Sequence, residues 1–138
     1  MTIEEFVEAR ITEDEATAQT AAGRSGDWHS DEGGVLGGQM HEPYYDGDKP
    51  SAEFTIVYDE GWPLASEAVH IARHDPARVL RQCAALRLIL TEHDRTPGGH
   101  CSVCREFDYR RDYDAVAWPC PTVRAVASVW SDHPDYRP

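Results

Sequence analysis

A chain of 138 residues, 41% hydrophobic, suits one domain with one modest core. A formal net charge of -12 disfavours the phosphates of nucleic acids and membrane surfaces, so neither is an expected partner. Mean hydropathy is -0.59, no apolar run approaches the ~18 residues of a membrane span, and the opening MTIEEFVEAR has acids where a signal peptide needs bases, which predicts a cytoplasmic protein.

The charge is uneven. Residues 1–60 hold fifteen acids against Arg10, Arg24 and Lys49, which is the whole -12, while residues 61–138 hold ten acids and ten arginines. Such an acidic segment is a solvated, solubilising face, or a surface that docks a basic protein or mimics DNA.

Thr2 followed by Glu5 fits a capping box and predicts a helix over 3–22. Ile3, Val7, Ile11, Ala18 and Ala22 share one face of it, with Phe6 alongside, and Gly23 is placed to stop it. Residues 23–52 are rich in Gly, Ser, Asp and Pro and read as short strands with long turns, one strand starting at Trp28-His29 and another at Val35-Leu36. Residues 53–58 alternate Phe54, Ile56 and Tyr58 against Thr55 and Val57, the clearest strand pattern in the chain. A short helix is expected over 65–74. Asp75-Pro76 then starts a longer one over 76–93, with Asp75 as N-cap and Pro76 in the first turn. Val79, Cys83, Leu86 and Leu90 form its apolar stripe, flanked by Leu80 and Ile89, and Cys83 reads as a small core residue. Arg78, Arg81 and Arg87 lie off that stripe, either solvated or facing the acidic first helix. Residues 100–119 read as a loop or small hairpin. A last helix is expected from Pro121, burying Val123, Val126, Ala127 and Trp130, with an extended polar tail from Asp132.

The chemistry concentrates in the C-terminal third. Cys101-Ser-Val-Cys104 is a CxxC knuckle, and Cys120 follows in Trp-Pro-Cys-Pro. A knuckle aims two thiolates at adjacent corners of a zinc tetrahedron, and Cys120, at a helix start, sits where backbone N–H groups favour a thiolate. The fourth corner falls to His93, at the end of the long helix. His100 abuts Cys101 and fits less easily, and His133 follows the last helix. The ligand set is therefore Cys101, Cys104, Cys120 and His93, with His100 and His133 as alternatives for the last place. Reduced thiols without metal, or redox chemistry, are the competing readings. Redox chemistry wants a thioredoxin-like βαβ setting, which the pattern lacks. A sulfur-rich, four-ligand zinc is structural rather than catalytic.

His70 and His74, in His-Ile-Ala-Arg-His-Asp, share a helix face as metal ligands can, but no glutamate of the HExxH kind lies between them. They read as polar packing at a helix junction, with a metal-dependent hydrolytic site as the alternative. Trp28, Trp62, Trp118 and Trp130 read as packing residues.

The blocks Phe6–Glu15, His70–Leu80, the CxxC, Trp118–Thr122 and Asp132–Tyr136 together resemble a family of small uncharacterised proteins of actinobacteria and their phages, a domain of unknown function. The resemblance implies no activity, and residues 31–60 fall outside it as a variable insertion. The expected architecture is a helix-dominated α+β domain. It comprises an acidic helix with short strands over 1–60, a helical core over 61–95, and a zinc-stapled lobe over 96–138. Two functions fit: a non-enzymatic binding or regulatory module engaging a basic protein, or a hydrolase using His70 and His74.

Overall fold

The computed structural model describes residues 1–31, 34–38, 54–57, 63–108 and 112–137. The turns expected within 39–53 and the strand ends at Glu53 and Tyr58 lie outside the described residues. In chain order the elements are α1 (Ile3–Ala21), β1 (Trp28–Asp31), β2 (Gly34–Gly37), β3 (Phe54–Val57), α2 (Ala65–Arg73), α3 (Pro76–Glu92), β4 (His100–Asp108), β5 (Asp112–Ala117) and α4 (Pro121–Ala127), which runs into a 3-10 turn over Ser128–Trp130. The fold is α+β, with an antiparallel sheet β1-β2-β3 and a separate β4-β5 hairpin. Among the described residues no helix is long and apolar enough to cross a membrane.

The chain forms two compact units: Met1–Glu13 with Cys83–Pro138, and Asp14–Gln82. In the second unit, α2 lays Ala68 and Ala72 on Val35, and Trp28, Ile56, Val57 and Ile71 close around them. The strand expected here forms over Phe54–Val57, but its alternation does not sort buried from exposed residues. All four of its residues are half-buried, because the β2-β3 register shifts between Val35 and Leu36, so that Ile56 and Val57 both reach the core. Gly37 opposes Phe54, and a Cβ there would come within 2.6 Å of the Phe54 ring, so β2 needs glycine at this point. Arg24 covers Phe54, its guanidinium carbon 4.0 Å from the ring centroid.

Asp75 does more than the expected cap. Its Oδ1 accepts from the Arg78 N–H at 2.7 Å, and its Oδ2 accepts from the Trp28 N–H at 3.3 Å. One carboxylate therefore starts α3 and anchors β1. The Ala77 N–H adds a bond to the Gly26 carbonyl at 3.0 Å.

In the first unit, the capping box at Thr2 and Glu5 forms as expected: the Thr2 N–H donates to Glu5 at 2.7 Å and the Glu5 N–H to the Thr2 hydroxyl at 3.2 Å. Phe6, Val7 and Ile11 are buried, and Arg87 of α3 pairs with Glu8. Arg10 is buried on the same face, which the apolar pattern missed. Its Nη2 donates to Glu13 at 2.6 Å, and its Nη1 lies 2.6 Å from His133 Nε2. The tail is correspondingly not extended. It turns back so that His133 and Tyr136 pack on Phe6, with ring centroids 5.7 and 5.9 Å away. A buried guanidinium needs partners, and the tail supplies one.

Asp75→Ala removes an N-cap and a strand anchor together. The expected loss is about 1–3 kcal/mol of unfolding free energy, more than a cap alone contributes. Urea denaturation checks it, and a change under about 0.3 kcal/mol would contradict the dual role.

Candidate metal centre

His93 lies just past α3, where its N–H continues the helical ladder to the Ile89 carbonyl at 3.0 Å. Its main chain is therefore fixed by the helix end. The CxxC turn docks onto that end through Ser102. The Ser102 N–H donates to the Asp94 carbonyl at 2.9 Å, and the hydroxyl donates to the Glu92 carbonyl at 2.6 Å, satisfying one of the C-terminal carbonyls of α3. The sequence reading gave Ser102 no role. Its only sequence signal is a hydroxyl inside the knuckle.

The knuckle is an interruption of the hairpin. His100 pairs with Ala117 and Arg105 with Ala115, so four residues, Cys101 to Cys104, face only Val116. The surplus chain loops out, and its backbone dipoles sort by sign. The Cys104 and Val103 N–H groups point at the Cys101 sulfur. The carbonyls of Cys101 and Cys104 accept from Arg105 Nη1 at 3.3 and 2.9 Å. Cys120 enters from the N-terminus of α4, with Pro121 following it. Its carbonyl takes the Arg124 N–H at 3.1 Å, but its side chain makes no capping bond. The sulfur instead turns inward.

His93 Nδ1 is thereby 3.5 Å from the Cys101 sulfur, 3.4 Å from Cys104 and 3.5 Å from Cys120. All four ligating atoms lie within 4.8 Å of one another. An imidazole nitrogen has one proton or one lone pair, directed in the ring plane, so it cannot hydrogen-bond three sulfurs at once. A tetrahedral ion can account for the spacing: Zn–S near 2.3 Å and Zn–N near 2.0–2.1 Å put sulfur and nitrogen about 3.6 Å apart. The donor set thus fits a metal, and these four residues could hold one. All four cysteines are free, so no disulfide competes for the sulfurs.

The electrostatics agree. Burial pushes the Cys101 thiol up, but the Cys104 and Val103 N–H groups, His93 and Cys120 outweigh it and bring it down to about 6. Burial, then hydrogen bonds to Cys101 and Cys120 and the repulsion of their charges, push Cys104 up to about 11. Three sulfurs this close cannot all ionise without a cation among them.

The other histidines stand elsewhere. The His100 backbone is tied to Thr96, whose N–H donates to the His100 carbonyl at 2.8 Å. His133 faces Arg10, with the Asp135 N–H donating to its Nδ1 at 3.1 Å. His70 and His74 stack with centroids 4.3 Å apart, and His74 Nδ1 lies 2.9 Å from the His70 carbonyl. Both are exposed, and neither belongs to the cluster of three or more ligand residues found among the described residues. Cys83 is buried, as expected.

The chain belongs to a family of unknown function, DUF6221, whose model matches residues 1–138. That match runs through residues 31–60, which the resemblance read from the sequence had left out as an insertion. Comparison with curated proteins and with solved structures found no match.

A metal taken up here must displace the Cys104 proton at any pH well below about 11. Cys101, at about 6, is already ionised near neutrality. Apparent affinity for a divalent ion should therefore rise at least tenfold per pH unit between pH ~7 and ~9, since each released proton adds one power of ten. Competition against a chromophoric chelator measures this. A pH-independent affinity would contradict the ligand set.

Proposed function

We propose that Cys101, Cys104, Cys120 and His93 bind one structural zinc ion, and that the protein is a non-enzymatic interaction module for a basic protein partner. The observation that carries the metal half is the set of three sulfurs at 3.4–3.5 Å from one imidazole nitrogen. Zinc suits a mixed sulfur and nitrogen set in tetrahedral order. Four protein ligands leave no corner for water or substrate, which argues for a structural ion. The cluster is also core: Cys101, Cys120 and Val123 are buried together, with Ile3, Leu90, Cys104, Val116 and Trp118 around them. With so few aliphatic side chains at that centre, ligation supplies cohesion the core otherwise lacks.

The partner half rests on charge. The net -12 sits in residues 1–60, and an acidic surface attracts and steers a basic one. The resemblance to proteins of actinobacteria and their phages suggests a bacterial cytoplasm or an infected one, where cysteines stay reduced and available to metal.

Protein expressed with ample zinc should carry about one zinc per chain by elemental analysis. Cys104→Ser should unfold the first unit or cost far more stability than Cys83→Ser. The former loses a bond of a site contributing on the order of 10 kcal/mol, the latter about 1–3 kcal/mol for a buried hydroxyl. Zinc-free protein with freely titrating thiols, or equal thermal shifts for the two variants, would overturn the assignment.

A further inference from the structure

The second unit holds a cleft that the metal centre does not use. Its volume is about 370 Å³, and its lining includes buried Ala18, half-buried Trp28 and Val79, and exposed Asp14, His74 and Gln82. That volume is at the small end of ligand pockets, the size for one side chain rather than a cofactor. Its walls are fixed. Trp28 is held by its backbone N–H to Asp75 at 3.3 Å and by its indole N–H to the Ser25 carbonyl at 3.1 Å.

The chemistry of the lining has a direction. His74 Nδ1 lies 2.9 Å from the His70 carbonyl, which can only accept, so Nδ1 carries the proton. In the neutral ring Nε2 is then an acceptor. Asp14 brings a carboxylate, Gln82 an amide oxygen, and the face of an indole attracts cations. A carboxylate, an imidazole lone pair and an aromatic face together select a group that is rich in N–H donors, flat and positive. The charge has the same sign: residues 14–82 hold thirteen acids against five bases, of which six acids and four bases are among the described residues. The main-chain carbonyl of residue 70 thus sets the tautomer of His74.

We propose that this cleft receives an arginine side chain of the basic partner, its guanidinium against Asp14 and His74 Nε2 and over Trp28. The inference deepens the partner half of the proposed function, rests on that half, and is independent of the metal.

The test is an NMR titration of the full-length, isotope-labelled protein with a blocked arginine-containing heptapeptide and its citrulline counterpart, which is isosteric and uncharged. The arginine peptide should give saturable shifts at the Trp28 indole N–H and at His74, and at least fivefold weaker binding at ~1 M than at ~0.1 M salt, as the screening length falls from about 10 to about 3 Å. The citrulline peptide should bind at least fivefold more weakly. Asp14→Asn and His74→Phe, both at exposed positions, should each weaken binding at least threefold while leaving the circular dichroism spectrum unchanged. Salt-sensitive binding that neither variant weakens overturns the cleft but leaves a basic partner standing. Absence of binding by the arginine peptide overturns both.

Discussion

Three cysteine sulfurs converging on one imidazole nitrogen are the constraint on which the first unit depends. Each sulfur is 3.4–3.5 Å from His93 Nδ1, and two of the three belong to fully buried residues. Ionised, they repel one another across a few ångströms of low dielectric. Protonated, they are weak donors with no adequate acceptor. A cation resolves both difficulties. The residues that would hold it come from the end of α3, the looped-out turn of β4 and the start of α4, so one ion there would fasten three elements. The hydrogen bonds around the site are consistent with this order of importance. The Ser102 hydroxyl satisfies a carbonyl at the end of α3, Arg105 satisfies carbonyls of the looped-out turn, and the Val103 and Cys104 N–H groups stabilise the Cys101 sulfur as an anion.

The second unit is stabilised differently. Its core is a small aliphatic cluster between α2 and the sheet, and its precision comes from Asp75, which ties α3 and β1 together through one carboxylate. The same carboxylate accepts from the Trp28 backbone N–H, so the contact that ties α3 to β1 also positions a residue that lines the cleft. The acidic excess is greater in this unit: of the net -12, -8 falls within residues 14–82. The candidate metal ligands and the larger share of the acidic excess therefore lie in different units.

Much of this was legible in the sequence because it is written in local rules. The capping box at Thr2 and Glu5, the Asp75-Pro76 start, the stripe through Cys83 and the CxxC knuckle each depend on residues within a few positions of one another. His93 was reachable by spacing, since a helix end adjoins the knuckle. What escaped depends on partners far apart in sequence. Arg10 occupies an apolar face because His133, 123 residues later, folds back to meet it. Nothing near Arg10 says so, and the tail looked extended for the same reason. The β2-β3 irregularity that turns Ile56 and Val57 both inward is likewise a property of pairing, invisible in the alternation of β3 alone. Ser102 was overlooked because its partners, Glu92 and Asp94, matter only once the knuckle is docked on the helix end.

In the proposed centre one ion is held by three sulfurs and one imidazole nitrogen, with no coordination position left open. X-ray absorption at the zinc edge on the purified protein reads this shell directly. The expected shell has about three sulfur scatterers near 2.3 Å and one nitrogen near 2.0–2.1 Å, unchanged by added anions or chelating substrates. A shell dominated by oxygen and nitrogen, or one containing an exchangeable water, would contradict it.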